Sequence, residues 1–167
     1  MRWSEIGDSV CPIARALSVV GDRWTLLILR EIRMGNHRFE EMQAQTGMSS
    51  HLLSMRLKRL QEADVLDWQV SDSTPARHEY SATKKGIELD ALLRALQAWG
   101  QKWGGFEPGA EPALSWKLKP TQDGRPRPIP KSGGRSEDMI MVVSEEFARE
   151  RKVRHNAFMR VRKQART

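Results

Sequence analysis

The chain contains one cysteine and one tyrosine in 167 residues. A single cysteine excludes an internal disulfide framework and any zinc site built on a cysteine pair. His37, His51, His78 and His155 are too scattered to complete a metal cluster, so neither metal nor other cofactor is expected. No apolar run reaches membrane-spanning length. The opening MRWSEIGDSV carries Glu5 and Asp8 and lacks an apolar centre, so it does not read as a secretory signal. These absences point to a cytoplasmic protein with no membrane contact. Phosphate-loop, dinucleotide and acetyl-transfer motifs are also missing. A cysteine-nucleophile enzyme needs a general base and an oxyanion site, and no motif offers either. The chain therefore reads as a non-enzyme.

Excess positive charge is missing from most of the chain. The formal charge is +7, yet residues 1–116 hold 14 Lys/Arg against 15 Asp/Glu, a net of −1. Residues 117–167 hold 14 against 6, a net of +8. A basic balance implies a polyanionic partner. That signal belongs to the last third, and the first two thirds must be read from pattern. Hydrophobic residues make up 39%, enough for one packed domain.

Pro12 sits at a first helical position, where its missing N–H costs nothing. Ile13, Leu17 and Val20 give that helix an apolar stripe, and Gly21 stops it. Asp22 is placed to cap a second helix, RWTLLILREIRMG, in which Trp24, Leu27, Ile28 and Ile32 recur at helical spacing up to Gly35. A short third helix runs over about 38–45 and stops near Gly47. Ser49 caps a fourth over 50–63. The period then falls to two. VLDWQVS and RHEYSA read as short strands joined by DSTPA, whose Pro75 favours a turn. Thr83 opens a long helix to about Trp103. In it Leu89, Leu92, Leu96, Trp99 and Trp103 step by 3, 4, 3 and 4, the seam of a helix that packs along another. ALSWKLK (113–119) and DMIMVV (138–143) read as two strands that pair with each other. Between them, PTQDGRPRPIPKSGGR reads as a linker. Ser144 caps a final, strongly basic helix.

Four helices, a two-stranded hairpin and a long helix, in that order, form a mainly α winged helix-turn-helix. The third and fourth helices, turning at Gly47, make the helix-turn-helix proper, and the fourth enters the DNA major groove. At 100° per residue, Ser49, Leu53, Leu57 and Leu60 point toward the core. His51, Ser54, Met55 and Lys58 point away. A groove about 12 Å wide favours short side chains near the helix tip. Acid on this face would be repelled by phosphate, and there is none before Glu62. Arg56 lies nearer the core and reads as a structural ion-pair partner. Arg59 sits on the flank and fits either role.

The stretches CPIARALSVVGDRWTLLILREI, RFEEM, GMSSHLLSMRLKRLQEADVL and PARHEYSATKKGIEL resemble the HxlR-type winged-helix transcriptional regulators, relatives of the MarR group. The resemblance covers residues 11 to about 103 in order. It implies a homodimer that binds double-stranded DNA at an inverted-repeat operator, with residues 67–80 as the wing. Arg38, Ser49, Ser50, His51, Ser54, Met55, Lys58, Arg59, Arg77 and His78 are the DNA-contact candidates. Leu89, Leu92, Leu96, Trp99 and Trp103 are the dimer-interface candidates. Asp64 stands where the family carries glycine, Ala82 where it carries leucine, and Asp67-Trp68 where arginine is usual.

Two features stay open at this level. Cys11 precedes a helix-opening proline, where unpaired N–H groups and the helix dipole favour a thiolate. It reads either as a redox or electrophile sensor or as a small packed hydrophobe. The winged helix itself reads as a sequence-specific DNA binder, with a protein-docking module as the alternative. The boundaries follow: residues 1–104 form the DNA-binding and dimerisation domain. Residues 105–167 form an extension whose linker would let a basic helix reach phosphates flanking the operator. Location on the nucleoid would follow from DNA binding.

Overall fold

The computed structural model describes residues 3–70, 78–107, 109–119 and 138–165. A 3-10 helical segment, Trp3–Asp8, leads into α1 (Pro12–Val20), α2 (Thr25–Arg33), α3 (Phe39–Thr46) and α4 (Ser50–Glu62). β1 (Leu66–Val70) and β2 (His78–Ala82) pair antiparallel, with Trp68 opposite Tyr80. α5 (Lys84–Glu88) and α6 (Asp90–Trp103) follow. β3 (Leu114–Leu118) and β4 (Met139–Val143) form a second antiparallel pair, and α7 (Glu145–Gln164) ends the described chain. The expected turn around Pro75, Arg77 and the Pro/Gly-rich linker lie outside the described residues.

The helix boundaries follow local chemistry. Asp22 caps α2: its Oδ1 accepts from the N–H of Trp24 (2.9 Å) and of Thr25 (3.1 Å), and its Oδ2 accepts from Thr25 Oγ1 (2.6 Å). Gly47, at φ +70°, turns α3 into α4 in a left-handed conformation that suits glycine. The Ser49, Thr83 and Ser144 hydroxyls each accept an N–H in the first turn that follows them. Asp64 also adopts positive φ, +55°, at the position where the family resemblance expected glycine. Aspartate is one of the few other residues that visits this region readily.

One expectation needs correction. The helix opened at Thr83 is not continuous: it breaks at Leu89, whose N–H bonds to the Gly86 carbonyl three residues back. Asp90 then starts α6 fully buried, with Arg33 Nη2 2.9 Å from its Oδ2. Gly86 itself packs on the backbone, since a Cβ there would lie 2.2 Å from the Val65 carbonyl oxygen.

The core is formed by Ile28, Leu29 and Ile32 of α2, Met42 of α3, Leu53, Leu57 and Leu60 of α4, with Met48, Val65, Leu66, Leu93 and Met141. Met141 belongs to β4, and Leu114 and Trp116 of β3 pack against the same cluster. The extension is therefore part of one hydrophobic body. Gln97 of α6 accepts from Trp116 Nε1 (2.9 Å), and Arg33 Nη2 donates to the Met139 carbonyl (2.7 Å).

The expected tethered basic arm is replaced by a docked helix. α7 lies along α3, with Gln45 Nε2 donating to the Arg151 carbonyl (3.0 Å) and Arg162 reaching Glu40 (3.3 Å). Arg151 reaches the fully buried Glu31 of α2 through two bonds, of 2.9 and 2.5 Å. Arg30 (2.7 Å) and Asn36 (2.7 Å) satisfy the same carboxylate. The guanidinium carbons of Arg30, Arg151 and Arg154 lie 5.6–5.9 Å from the centre of the Phe147 ring. Burial pushes the Glu31 carboxyl up, but the Arg151 bonds and the charges of Arg30 and Arg151 outweigh it. The carboxyl is held below its ordinary value of 4.5.

Removing one side of this pair should be costly. Glu31→Gln should lose about 3–5 kcal/mol at neutral pH, because Arg151 keeps a buried charge without its partner. A folded-state pKa below the unfolded one means that stability is present above the unfolded value and lost as pH falls through the folded one. The gap between wild type and Glu31→Gln should therefore narrow below about pH 4.5. Urea unfolding at a series of pH values measures it, and a gap independent of pH would contradict this account.

Candidate nucleic-acid interface

α4 separates its two sides cleanly. Leu53, Leu57 and Leu60 are buried, while His51, Ser54, Met55 and Lys58 are exposed. The helix is held rigidly from behind. Arg56 Nη1 lies 3.4 Å from Asp22 Oδ2, the structural ion pair that the sequence implied. Burial pushes the Asp22 carboxyl up, but bonds from Thr25 and Trp24 and the Arg56 charge bring it below its ordinary value. Asp22 thus caps α2 and anchors α4 with one side chain.

The first turn of α4 contains no acid. Its unpaired N–H groups and the positive end of the helix dipole favour an anion there. Lys58 Nζ sits 3.8 Å from Glu62, but both side chains are well exposed, so the pair is weak and Lys58 can turn to another partner.

The other candidates are distributed differently. Ser49 does not face the core: it is exposed, and its hydroxyl accepts from Leu52 N (3.2 Å) as the N-cap. The end of a helix has no preceding turn to cover it, so helical angle alone misplaces a cap residue. Ser50 Oγ accepts from Gln43 Nε2 (2.9 Å) and ties α4 to α3. Arg59 donates to the Ser18 carbonyl and holds α4 to α1. Arg38 sends Nε and Nη2 to Glu79 Oε1 (3.1 and 3.0 Å), so its charge is neutralised by the second strand of the wing. His78 is exposed and stacks on Trp68 with ring centroids 4.4 Å apart. Arg77 lies outside the described residues. What α4 leaves exposed is His51, Ser54, Met55 and Lys58, with Ser50 at its tip.

The α6 seam looks outward. Leu89 is half-buried against the core, and the inward residue of this helix is Leu93. Leu92, Leu96, Trp99 (66% exposed) and Trp103 (64%) leave a large apolar strip uncovered. Ile13 and Leu17 of α1 are exposed as well. Cys11 is exposed at the start of α1, and its N–H donates to Ser9 Oγ (3.1 Å).

Sequence pattern did not reveal an open groove of about 1150 Å³ between the wing, the start of α3 and α7. Its walls include His78, Tyr80, Phe39, His155, Met159 and Lys163. No local pattern links segments so far apart in the chain.

The profile of the HxlR-like helix-turn-helix family matches residues 19–107. The HTH-type transcriptional regulator Rv3095 of Mycobacterium tuberculosis is 42% identical over 97 residues, which cover 58% of this chain and 60% of that one. The chain thus spans about 60% of the length of this curated relative. YodB of Bacillus subtilis, an HTH-type transcriptional regulator, is 35% identical over 106 residues, covering 62% of this chain and 93% of YodB. Among solved structures, PA1607, described as a candidate transcription factor, superposes with a TM-score of 0.59 at 32% identity, covering 85% of this chain and 99% of that one. A MarR-family regulator structure from Porphyromonas gingivalis gives a TM-score of 0.51 at 26% identity, covering 57% of this chain and 95% of that one. The winged arrangement of α2–α6 and the family match together place this chain in the HxlR-like helix-turn-helix family.

Proposed function

We propose that the protein is a DNA-binding transcriptional regulator, acting in the cytoplasm on the nucleoid as a homodimer at an inverted-repeat operator. The observation that carries this reading is the outer face of α4. It presents Ser50, His51, Ser54, Met55 and Lys58 without a carboxylate until Glu62, on a helix anchored from behind by Arg56 and Arg59. Histidine and serine donate to or accept from base edges, methionine touches a thymine methyl, and lysine reaches a guanine edge or a phosphate.

The α6 strip supports the dimer. Exposed tryptophans at Trp99 and Trp103 beside Leu92 and Leu96 are too large an apolar surface to leave in water without a partner. A second copy of α6 supplies the same seam about a two-fold axis, and that axis matches a palindromic site. Cys11 lies at the N-terminus of α1, two residues before the exposed Ile13. Oxidation or alkylation of its sulfur adds bulk beside the exposed Ile13 and Leu17 of α1, and alters the spacing of the two α4 helices if α1 joins the dimer seam.

Three measurements test these points. His51→Ala and Lys58→Ala should each weaken binding to a selected site by about 1–3 kcal/mol if they contact bases, with a much smaller loss on random DNA. Equal losses on both would limit these side chains to phosphate. A chain that shifts no duplex at all would favour protein docking as the role of the winged helix. Trp99→Ala should weaken self-association by about 2 kcal/mol or more while leaving the monomer folded, as read by sedimentation. A wild-type chain that sediments as a monomer at micromolar concentration would remove the dimer. Diamide should change DNA binding of the wild type and leave Cys11→Ser unaffected. Identical responses of the two proteins would assign Cys11 to packing alone.

A further inference from the structure

α7 has a second face, opposite the one that docks. Arg149, Lys152, Asn156, Arg160 and Lys163 recur by 3, 4, 4 and 3, and all five are exposed. At 100° per residue they fall within about 80° of one another. Among the described residues no carboxylate pairs with Arg149, Lys152 or Arg160. The acids of this helix, Glu145, Glu146 and Glu150, are confined to its start, and residues 151–164 contain none. An ordinary solvated helix mixes signs at three- and four-residue spacing, because like charges there repel. A stripe of one sign is best explained by an anionic partner.

The position of α7 identifies that partner. Arg162 is bonded to Glu40 in the first turn of α3, and His155, Met159 and Lys163 share a groove with His78 of the wing. The C-terminal half of α7 therefore lies beside the two elements that flank a winged helix on DNA: the start of the first helix of the motif and the wing. The winged-helix part supplies little attraction, since residues 1–116 carry a net of −1. Within the α3–α4 unit and the wing, Arg38 is neutralised by Glu79 and Arg59 is held by Ser18.

We propose that α7 is a fixed second phosphate-binding element. It lies against the duplex backbone beyond the wing and lengthens the DNA footprint of each protomer. The contact rests on the DNA-binding reading above but uses residues outside the matched family region, 19–107. Arg151, locked onto Glu31, holds α7 in place, so no ordering of a loose tail is needed when DNA binds.

The test uses the full chain and the triple variant Arg149→Gln/Lys152→Gln/Arg160→Gln. The DNA probes are a site enriched by the wild type from a random library and a random duplex of equal length. Because the three side chains are exposed, thermal unfolding should be unchanged. The log–log salt dependence of binding should become shallower by about 0.9 for each phosphate that the variant no longer neutralises. The preference for the enriched site over random DNA should stay as in wild type. Salt slope thus reports on α7 and site preference on α4. An unchanged slope overturns the proposal and leaves the α4 reading intact. A variant that keeps the slope but loses the preference also overturns it. A wild type that binds no duplex removes both readings.

Discussion

A carboxylate with no exposure to solvent, Glu31 in the last turn of α2, fixes the packing of the C-terminal helix on the rest of this molecule. Left alone in the core it would be too costly to keep ionised. It is kept charged by Arg30 from its own helix, Asn36 from the following turn and Arg151 from a helix 120 residues later. That last contact turns a chain end into a structural wall. Once Arg151 is fixed, Phe147 lies under three guanidinium groups, Gln45 closes on the α7 backbone and Arg162 comes to Glu40. A buried ion pair adds little net stability over a hydrophobic pair of the same size, but it selects one geometry. Here that geometry is α7 running along α3.

Arg33, the last residue of the same helix, does similar work. It bridges the buried Asp90 at the start of α6 and the Met139 carbonyl at the start of β4. Burial raises the Asp90 carboxyl above its ordinary value, against the opposing charge of Arg33. Asp90 thus acts in the opposite sense to Glu31: its cost is largest when it is ionised and eases in acid. The two acids hold the extension and α6 against the same helix while leaving α4 untouched. The helix that faces outward is fixed by separate, smaller contacts at Asp22, Ser18 and Gln43. Rigidity behind α4 matters because side chains set for base edges lose contact with small errors in placement.

Much of the fold was legible from local signals. Caps at Asp22, Ser49, Thr83 and Ser144, the left-handed turn at Gly47 and the change of period after α4 mark element ends through short-range hydrogen bonds and backbone geometry. Leu53, Leu57 and Leu60 declared the buried side of α4 by spacing alone, and the alternation of residues 113–119 with the apolar run at 138–143 marked two strands, which do pair. The break at Leu89 was not legible, because the apolar 3–4 spacing runs straight through it. The roles of Ser50, Arg38 and Arg59 were also hidden. Each has the right chemistry for phosphate, and only the partners Gln43, Glu79 and Ser18, brought near by folding, show how each is held in the fold.

The sequence by itself therefore determined the order of elements, the two sides of α4 and the family, because those rest on periodicity and capping within a few residues. It also located the excess positive charge in the last third. Tertiary structure alone decided what that charge does. Reading residues 149–166 as a loose basic arm followed from composition, which weighs every cation equally. Folding sorts them: Arg151, Arg154 and Arg162 turn inward to carboxylates and an aromatic ring, and Arg149, Lys152 and Arg160 are left on the opposite face. The distinction depends on Glu31 and Glu40, more than a hundred residues away in the chain, and no local pattern encodes contact across that distance.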